Sequence, residues 1–358
     1  MEIRIPGKQW VAGAARRSGH RLPAALAVLA VLGPGCGTEV TEDEETESVT
    51  PVALVTHETD LADYTEQAVN ALPREDSEGY RPPDAGEQAA WVEAVARFGE
   101  GSIKDAERYL RDRLPAYRAA WIEVPGAERY AVLEPRDAAD PGWGRVVADP
   151  DGERPLVLEV PHPDFDLHTA AEGTTLFTET DARFLLLAGT HRCANGAAST
   201  CDGKTGVCTD DDSSEAFRVS DMAHTVDTPF DLAHRTLMQG ASGRIAVSLH
   251  GNGRSNSCGG LFLSGGITGS APPLVDDIAA AIPGTSGLSV DTEDSAASCS
   301  LVGSTNVQGR FTNGADAPCT RKADTASGRF VHAEQSLEMR EDHAAVLADA
   351  LKAAVPRR

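Results

Sequence analysis

Residues 155–169, PLVLEVPHPDFDLHT, constrain the fold more than any other stretch, because an apolar run ends abruptly in a cluster of titratable side chains. Leu156, Val157, Leu158 and Val160 are apolar, mostly branched and bounded by prolines, the pattern of a strand buried on both faces of an α/β sheet. His162, Asp164, Asp166 and His168 follow where that strand must stop. In open α/β sheets ligands bind beyond the carboxyl ends of strands, so the spacing predicts a metal or an acid/base pair at this point.

The strand needs neighbours, and the chain supplies them. Short apolar runs at 129–135, 142–150, 183–188, 245–249, 288–290 and 330–333 read as further strands, with turn chemistry at 137–142 and 149–152. Helical patterns cover 87–98, 103–114, 229–240 and 337–355. The third has Asp227 or Thr228 as cap, Pro229 in its first turn and Gly240 at its end. The last places Leu347, Leu351 and Val355 on one face. This alternation predicts an α/β domain over 126–358, a mixed, largely parallel sheet flanked by helices, preceded by a helical N-terminal segment over 51–125. Two long loops rich in Gly, Ser and Asp, 193–214 and 251–273, each follow a strand and carry cysteines.

The N-terminus lies outside this plan. Arg4, Lys8, Arg16, Arg17 and Arg21 precede LPAALAVLAVL at 22–32, a basic region and an apolar core of signal-peptide length, too short to span a bilayer. GPGC at 33–36 resembles a bacterial lipobox, which makes Cys36 a lipidation site and the expected location the bacterial cell envelope, as an outer-membrane lipoprotein; plain secretion is the alternative. The acidic stretch 37–50 cannot bury enough apolar surface to fold and reads as a tether. With Cys36 set aside, six cysteines remain, at 193, 201, 208, 258, 299 and 319. They have no CxxC spacing for a zinc ribbon and suit three disulfides in an oxidising compartment, with the pairing left open. The formal charge of −23, near −27 without residues 1–35, excludes nucleic acid as a partner.

Four strand ends carry the candidate chemistry. The strand at 156–160 delivers His162 and Asp166; that at 183–188 delivers His191, Arg192 and Asn195; those at 245–249 and 330–333 deliver His250 and Glu334. Two histidines and a carboxylate make an N2O donor set for Zn²⁺ with a fourth position open, the arrangement of catalytic zinc. A separate glutamate serves as general base, and an arginine fork holds a substrate carboxylate. His168 and His191 also suit loop caps, and His224 and His234 read as structural. Other chemistries lack their signatures: there is no complete P-loop around GKT at 203–205, no EF-hand glycine in 209–215 and no GxSxG elbow.

The run PHPDFDLHT, followed by LLLAGTHRCAN, VSLHG and VHAEQSLEMRED, resembles the N-formylglutamate amidohydrolase and phage-type poly-γ-glutamate hydrolase group across 129–355. The resemblance implies a zinc-carboxypeptidase-like fold, one zinc per chain, and hydrolysis of amide bonds near glutamyl carboxylates in small glutamyl-amide or peptide substrates. It assigns His162, Asp166 and His250 to the metal, Glu334 to acid/base catalysis and Arg192 to the substrate carboxylate. Thr169 matches a threonine that follows the acidic ligand, while His191 and Asn195 are candidate substrate contacts. Two departures stand out: Asp replaces the usual Glu ligand, which leaves Asp164 as an alternative to Asp166, and Pro163 replaces a common Gly. The competing expectation is a catalytically inactive envelope lipoprotein that keeps the fold and binds peptide, glycan or a protein partner.

Overall fold

The computed structural model describes residues 52–124, 126, 128–136, 141–209, 213–253, 258–295 and 299–358. The leader, Cys36 and the tether lie outside these residues, as do turn residues 137–140 and parts of both long loops. Among the described residues the chain begins with β1 (Val55–His57), α1 (Leu61–Asn70), α2 (Ala85–Gly99), α3 (Ile103–Arg113), β2 (Tyr117–Glu123), β3 (Arg129–Pro135) and β4 (Arg145–Ala148). It continues through β5 (Arg154–Val160), α4 (Thr169–Thr180), β6 (Ala182–Leu187), β7 (Lys204–Thr205), β8 (Glu215–Ala216), α5 (Pro229–Gly240), β9 (Ile245–Gly251) and β10 (Leu261–Ser264). The last part holds α6 (Pro273–Ala281), β11 (Val290–Thr292), α7 (Val307–Thr312), β12 (Phe330–Gln335), α8 (Leu337–Asp342) and α9 (Ala344–Ala354). No helix among them is long and apolar enough to cross a membrane.

Ten of these strands form one sheet in the order β1-β2-β3-β4-β6-β5-β9-β12-β10-β11. The four central strands β6, β5, β9 and β12 are parallel, while β2, β3 and β4 add an antiparallel flank and β10 runs against β12. This is the expected mixed α/β sheet. The parallel centre is buried on both faces because alternate residues of each strand serve opposite layers. Leu156, Leu158 and Val160 of β5 pack with Leu176 and Phe177 of α4 and with Leu347 and Leu351 of α9. Val157 faces the other way, into the layer that holds Trp91 and Phe98 of α2 and Leu237 of α5. Thr228 caps α5 by accepting a hydrogen bond from the Asp231 amide, as its punctuation predicts.

Four expectations change. The segment 51–125 contains three helices but also β1 and β2, both in the main sheet, so it is not wholly helical. The loop 251–273 contains β10, a four-residue apolar strand that pairs with β12. The helix expected over 337–355 is two helices, because His343 leaves helical dihedrals at φ −127°. A Thr-rich stretch not read as regular structure forms α4, and Gly173 lets it approach β5 closely: a Cβ there would lie 2.7 Å from Val160 Cγ2.

The six cysteines pair as Cys193–Cys208, Cys201–Cys319 and Cys258–Cys299. The first closes a loop after β6, the second joins that loop to the α7–β12 connection, and the third joins the β9–β10 and β11–α7 connections.

Candidate metal centre

The register of the central strands brings the candidate residues together. His162 stands two residues past β5, Asp166 lies in the loop to α4, and His250 and Glu334 are penultimate in β9 and β12. In the parallel pair β9/β12, His250 is opposite Glu334 and Ser248 is opposite His332, so these four share one sheet face. His162, Asp166, His250 and Glu334 are all buried.

His162 Nδ1 lies 3.3 Å from Asp166 Oδ2, and His250 Nδ1 lies 3.6 Å from the same oxygen. Charge-assisted hydrogen bonds are shorter, about 2.7–2.9 Å. A tetrahedral zinc site with bonds of about 2.0–2.2 Å has ligand-to-ligand edges of about 3.3–3.6 Å, the separations found here. The other ring nitrogens are held from outside: His162 Nε2 is 2.9 Å from Asp221 Oδ1, and His250 Nε2 is 3.0 Å from Ser248 Oγ. Outer partners of this kind fix the tautomer of a metal-binding imidazole. The donor set therefore fits zinc. Asp164, the alternative carboxylate, turns away and pairs with Arg74 Nη1 at 2.6 Å.

A second trio, His250, His332 and Glu334, also brings its ligand atoms within 4.8 Å of one another. His332 Nε2 is 3.7 Å from Glu334 Oε1, and the buried Nδ1 of His332 has no hydrogen-bond partner among the described residues. Gly303, at φ +66°, lies against this ring; a Cβ there would meet His332 Cδ2 at 2.6 Å.

Charges around the centre are strongly coupled. Burial opposes ionisation of Asp166, but bonding to His162 and His250 outweighs it and holds the carboxyl well below the usual range. Burial likewise opposes ionisation of Asp221, yet Arg192, His224 and His162 keep it far below its ordinary value. Burial and Arg192 disfavour protonation of His162, and the carboxylates of Asp221 and Asp166 reverse the balance, raising it. Burial lowers His250, takes His332 well below its ordinary value and pushes His224 down to about 3. Glu334 moves the opposite way for a carboxyl: burial first, then Asp166, raise it well above the usual range against the pull of Arg192 and Arg340.

Arg192 lines the site and is oriented by Asp221, with Nε at 3.1 Å and Nη2 at 2.5 Å from Asp221 Oδ2; its Nη1 makes no hydrogen bond among the described residues. Four other sequence candidates stay outside. Thr169 is fully buried and donates to the Asp166 carbonyl at 2.7 Å, bracing the loop. Asn195 is used by the backbone, donating to Tyr80 O at 2.9 Å and accepting from Ala197 N at 2.8 Å. His191 Nδ1 accepts from the Cys193 amide at 3.1 Å. His168 pairs with Glu341 at 3.1 Å on the surface.

Sequence reading missed His332, Asp221 and Phe217, and treated His224 as structural; His332, Phe217 and His224 line the cavity. His332 was legible, since strand alternation puts residues 332 and 334 on one face. Asp221 had no local signal. The centre opens on a cavity of about 580 Å³ whose wall also includes Phe165, Val207 and Leu301.

No family model and no curated protein matches this chain. Among solved structures, the crystal structure of N-formylglutamate amidohydrolase from Ralstonia eutropha is similar at 15% identity and a TM-score of 0.32, covering 57% of this chain and 93% of that one. A likeness of that size carries no argument about activity, so the chemistry rests on the site itself.

Proposed function

We propose that this protein is a zinc-dependent hydrolase of amide bonds, acting on γ-glutamyl or N-acyl-glutamate-like substrates. The observation that carries the reading is the convergence of His162 Nδ1 and His250 Nδ1 on Asp166 Oδ2 at tetrahedral-edge spacing, beside a cavity. Zinc held by His162, Asp166 and His250 supplies Lewis-acid polarisation of a carbonyl and a lowered pKa for water.

The chain's own groups do the rest. Glu334, opposite His250 in the strand register, takes a proton from the attacking water and returns it to the departing amine nitrogen. Burial and the neighbouring Asp166 raise its pKa, the direction that makes it the stronger proton acceptor. Asp221 holds Arg192 from behind and leaves Nη1 for a substrate carboxylate. Asp221 also holds His162, so one buried carboxylate orients a metal ligand and the substrate anchor together.

The proposed setting is the bacterial envelope, with Cys36 as a lipid anchor or, without lipidation, the secreted space. Three disulfides support an oxidising compartment. The γ-linked glutamate of peptidoglycan stems is a local substrate of the right chemistry.

The test is turnover of γ-glutamyl amides and N-acyl-glutamates by the zinc-loaded protein. A chelator should abolish hydrolysis, and Glu334→Gln should lower kcat by about 10²–10⁴ while zinc content stays unchanged. Hydrolysis that survives both treatments would refute the reading.

A further inference from the structure

Four apolar side chains, Phe165, Val207, Phe217 and Leu301, line the cavity among polar ones, and the last three adjoin segments joined by disulfides. Val207 is 40% exposed, one of few large apolar side chains so exposed among the described residues, and it adjoins Cys208 of the Cys193–Cys208 bond. Leu301 lies two residues past Cys299 and packs on the cluster of Cys258, Phe262 and Cys299, closed by the Cys258–Cys299 bond. Phe217 stacks on His224 at 3.8 Å and covers Gly203, where a Cβ would lie 2.4 Å from its ring, two residues from Cys201 of the Cys201–Cys319 bond. Phe165 completes the wall, its ring 5.2 Å from the Arg192 guanidinium carbon.

An apolar side chain facing solvent gains nothing for the fold, and a crosslink that fixes it there removes the entropy a ligand would otherwise have to take away. A cavity of about 580 Å³ also far exceeds what a one-carbon acyl group fills. We propose that this wall is the subsite for a bulky apolar group, aromatic or branched aliphatic, on the part of the substrate that Arg192 does not hold. The proposal rests on the hydrolase reading for its orientation, while the wall itself stands on the observations above. The substrate class narrows to acidic amides whose acyl or peptidyl partner is apolar, in place of formyl or other minimal acyl groups.

Calorimetric titration of the zinc-loaded protein with N-benzoylglutamate and N-formylglutamate reads the subsite whether or not either compound is cleaved. The benzoyl compound should bind at least about tenfold more tightly, as expected for several well-buried carbons, and Val207→Asp should erase most of that ratio. Equal affinities in the wild type, or a ratio untouched by Val207→Asp and by Leu301→Asp, would overturn the proposal. Cleavage of both compounds without a preference removes the subsite and leaves the hydrolase. Preference in binding without cleavage of either removes the hydrolase and leaves the subsite.

Discussion

Two buried histidine–carboxylate groups sit on the sheet and differ in one respect that matters. At the candidate metal centre, His162 and His250 turn their Nδ1 atoms toward Asp166 at 3.3 and 3.6 Å, and all three line a cavity. In the second group, His234 of α5 bonds Glu159 of β5 through Nδ1 and Thr312 of α7 through Nε2, the latter at 2.8 Å. That second arrangement has the order of a hydroxyl–imidazole–carboxylate triad. Yet all three residues are buried, both ring nitrogens are occupied, and none of the three lines the cavity. Both places bury imidazole beside carboxylate. The difference is spacing beside open space: the Nδ1 atoms of the first group stand at 3.3 and 3.6 Å from Asp166 on the wall of a cavity, whereas the second is closed by hydrogen bonds among its own members, apart from Glu159 Oε2.

The comparison breaks most visibly through stability. His234→Ala strands Glu159 in the interior and should destabilise the protein by about 3–5 kcal/mol, as removal of one partner of a buried pair does, while leaving zinc content at one per chain. Thermal or denaturant unfolding with elemental analysis checks both halves, and loss of zinc in the folded variant would show that the two groups are coupled. A smaller effect sharpens the ligand assignment. Asp164→Asn removes only a surface pair with Arg74, so it should cost at most about 1 kcal/mol and leave zinc in place. Asp166→Asn should weaken zinc binding strongly; the reverse order of these two variants in a zinc titration would make Asp164 the ligand.

Much of this was legible in the sequence where one residue type did one job. The run ending at Val160 is apolar on every position but Glu159, and it became a central strand; His162 and Asp166 follow it, and His250, expected just past its strand, is the penultimate residue of β9. What escaped did so for physical reasons. The helix α4 reads TAAEGTTLFTET, rich in Thr and with a Gly, and its helicity comes from packing against β5 and α9 rather than from propensity. The strand β10 is four residues inside a Gly/Ser-rich loop and is defined by its pairing with β12. Asn195 and His191 look chemical in the string, but backbone groups hold them: the Cys193 amide donates to His191, and Asn195 bonds the Tyr80 carbonyl and the Ala197 amide. Asp221 reaches His162 and Arg192 across 59 and 29 residues of chain, a contact that no local pattern encodes.

The central claim is that His162, Asp166 and His250 are arranged for a metal ion. Elemental analysis of the protein produced in an oxidising compartment, beside the double variant His162→Ala/His250→Ala, tests it most directly. The wild type should carry about one zinc per chain and the folded double variant none. A folded wild type that takes up no zinc, or a double variant that keeps it, would contradict the assignment.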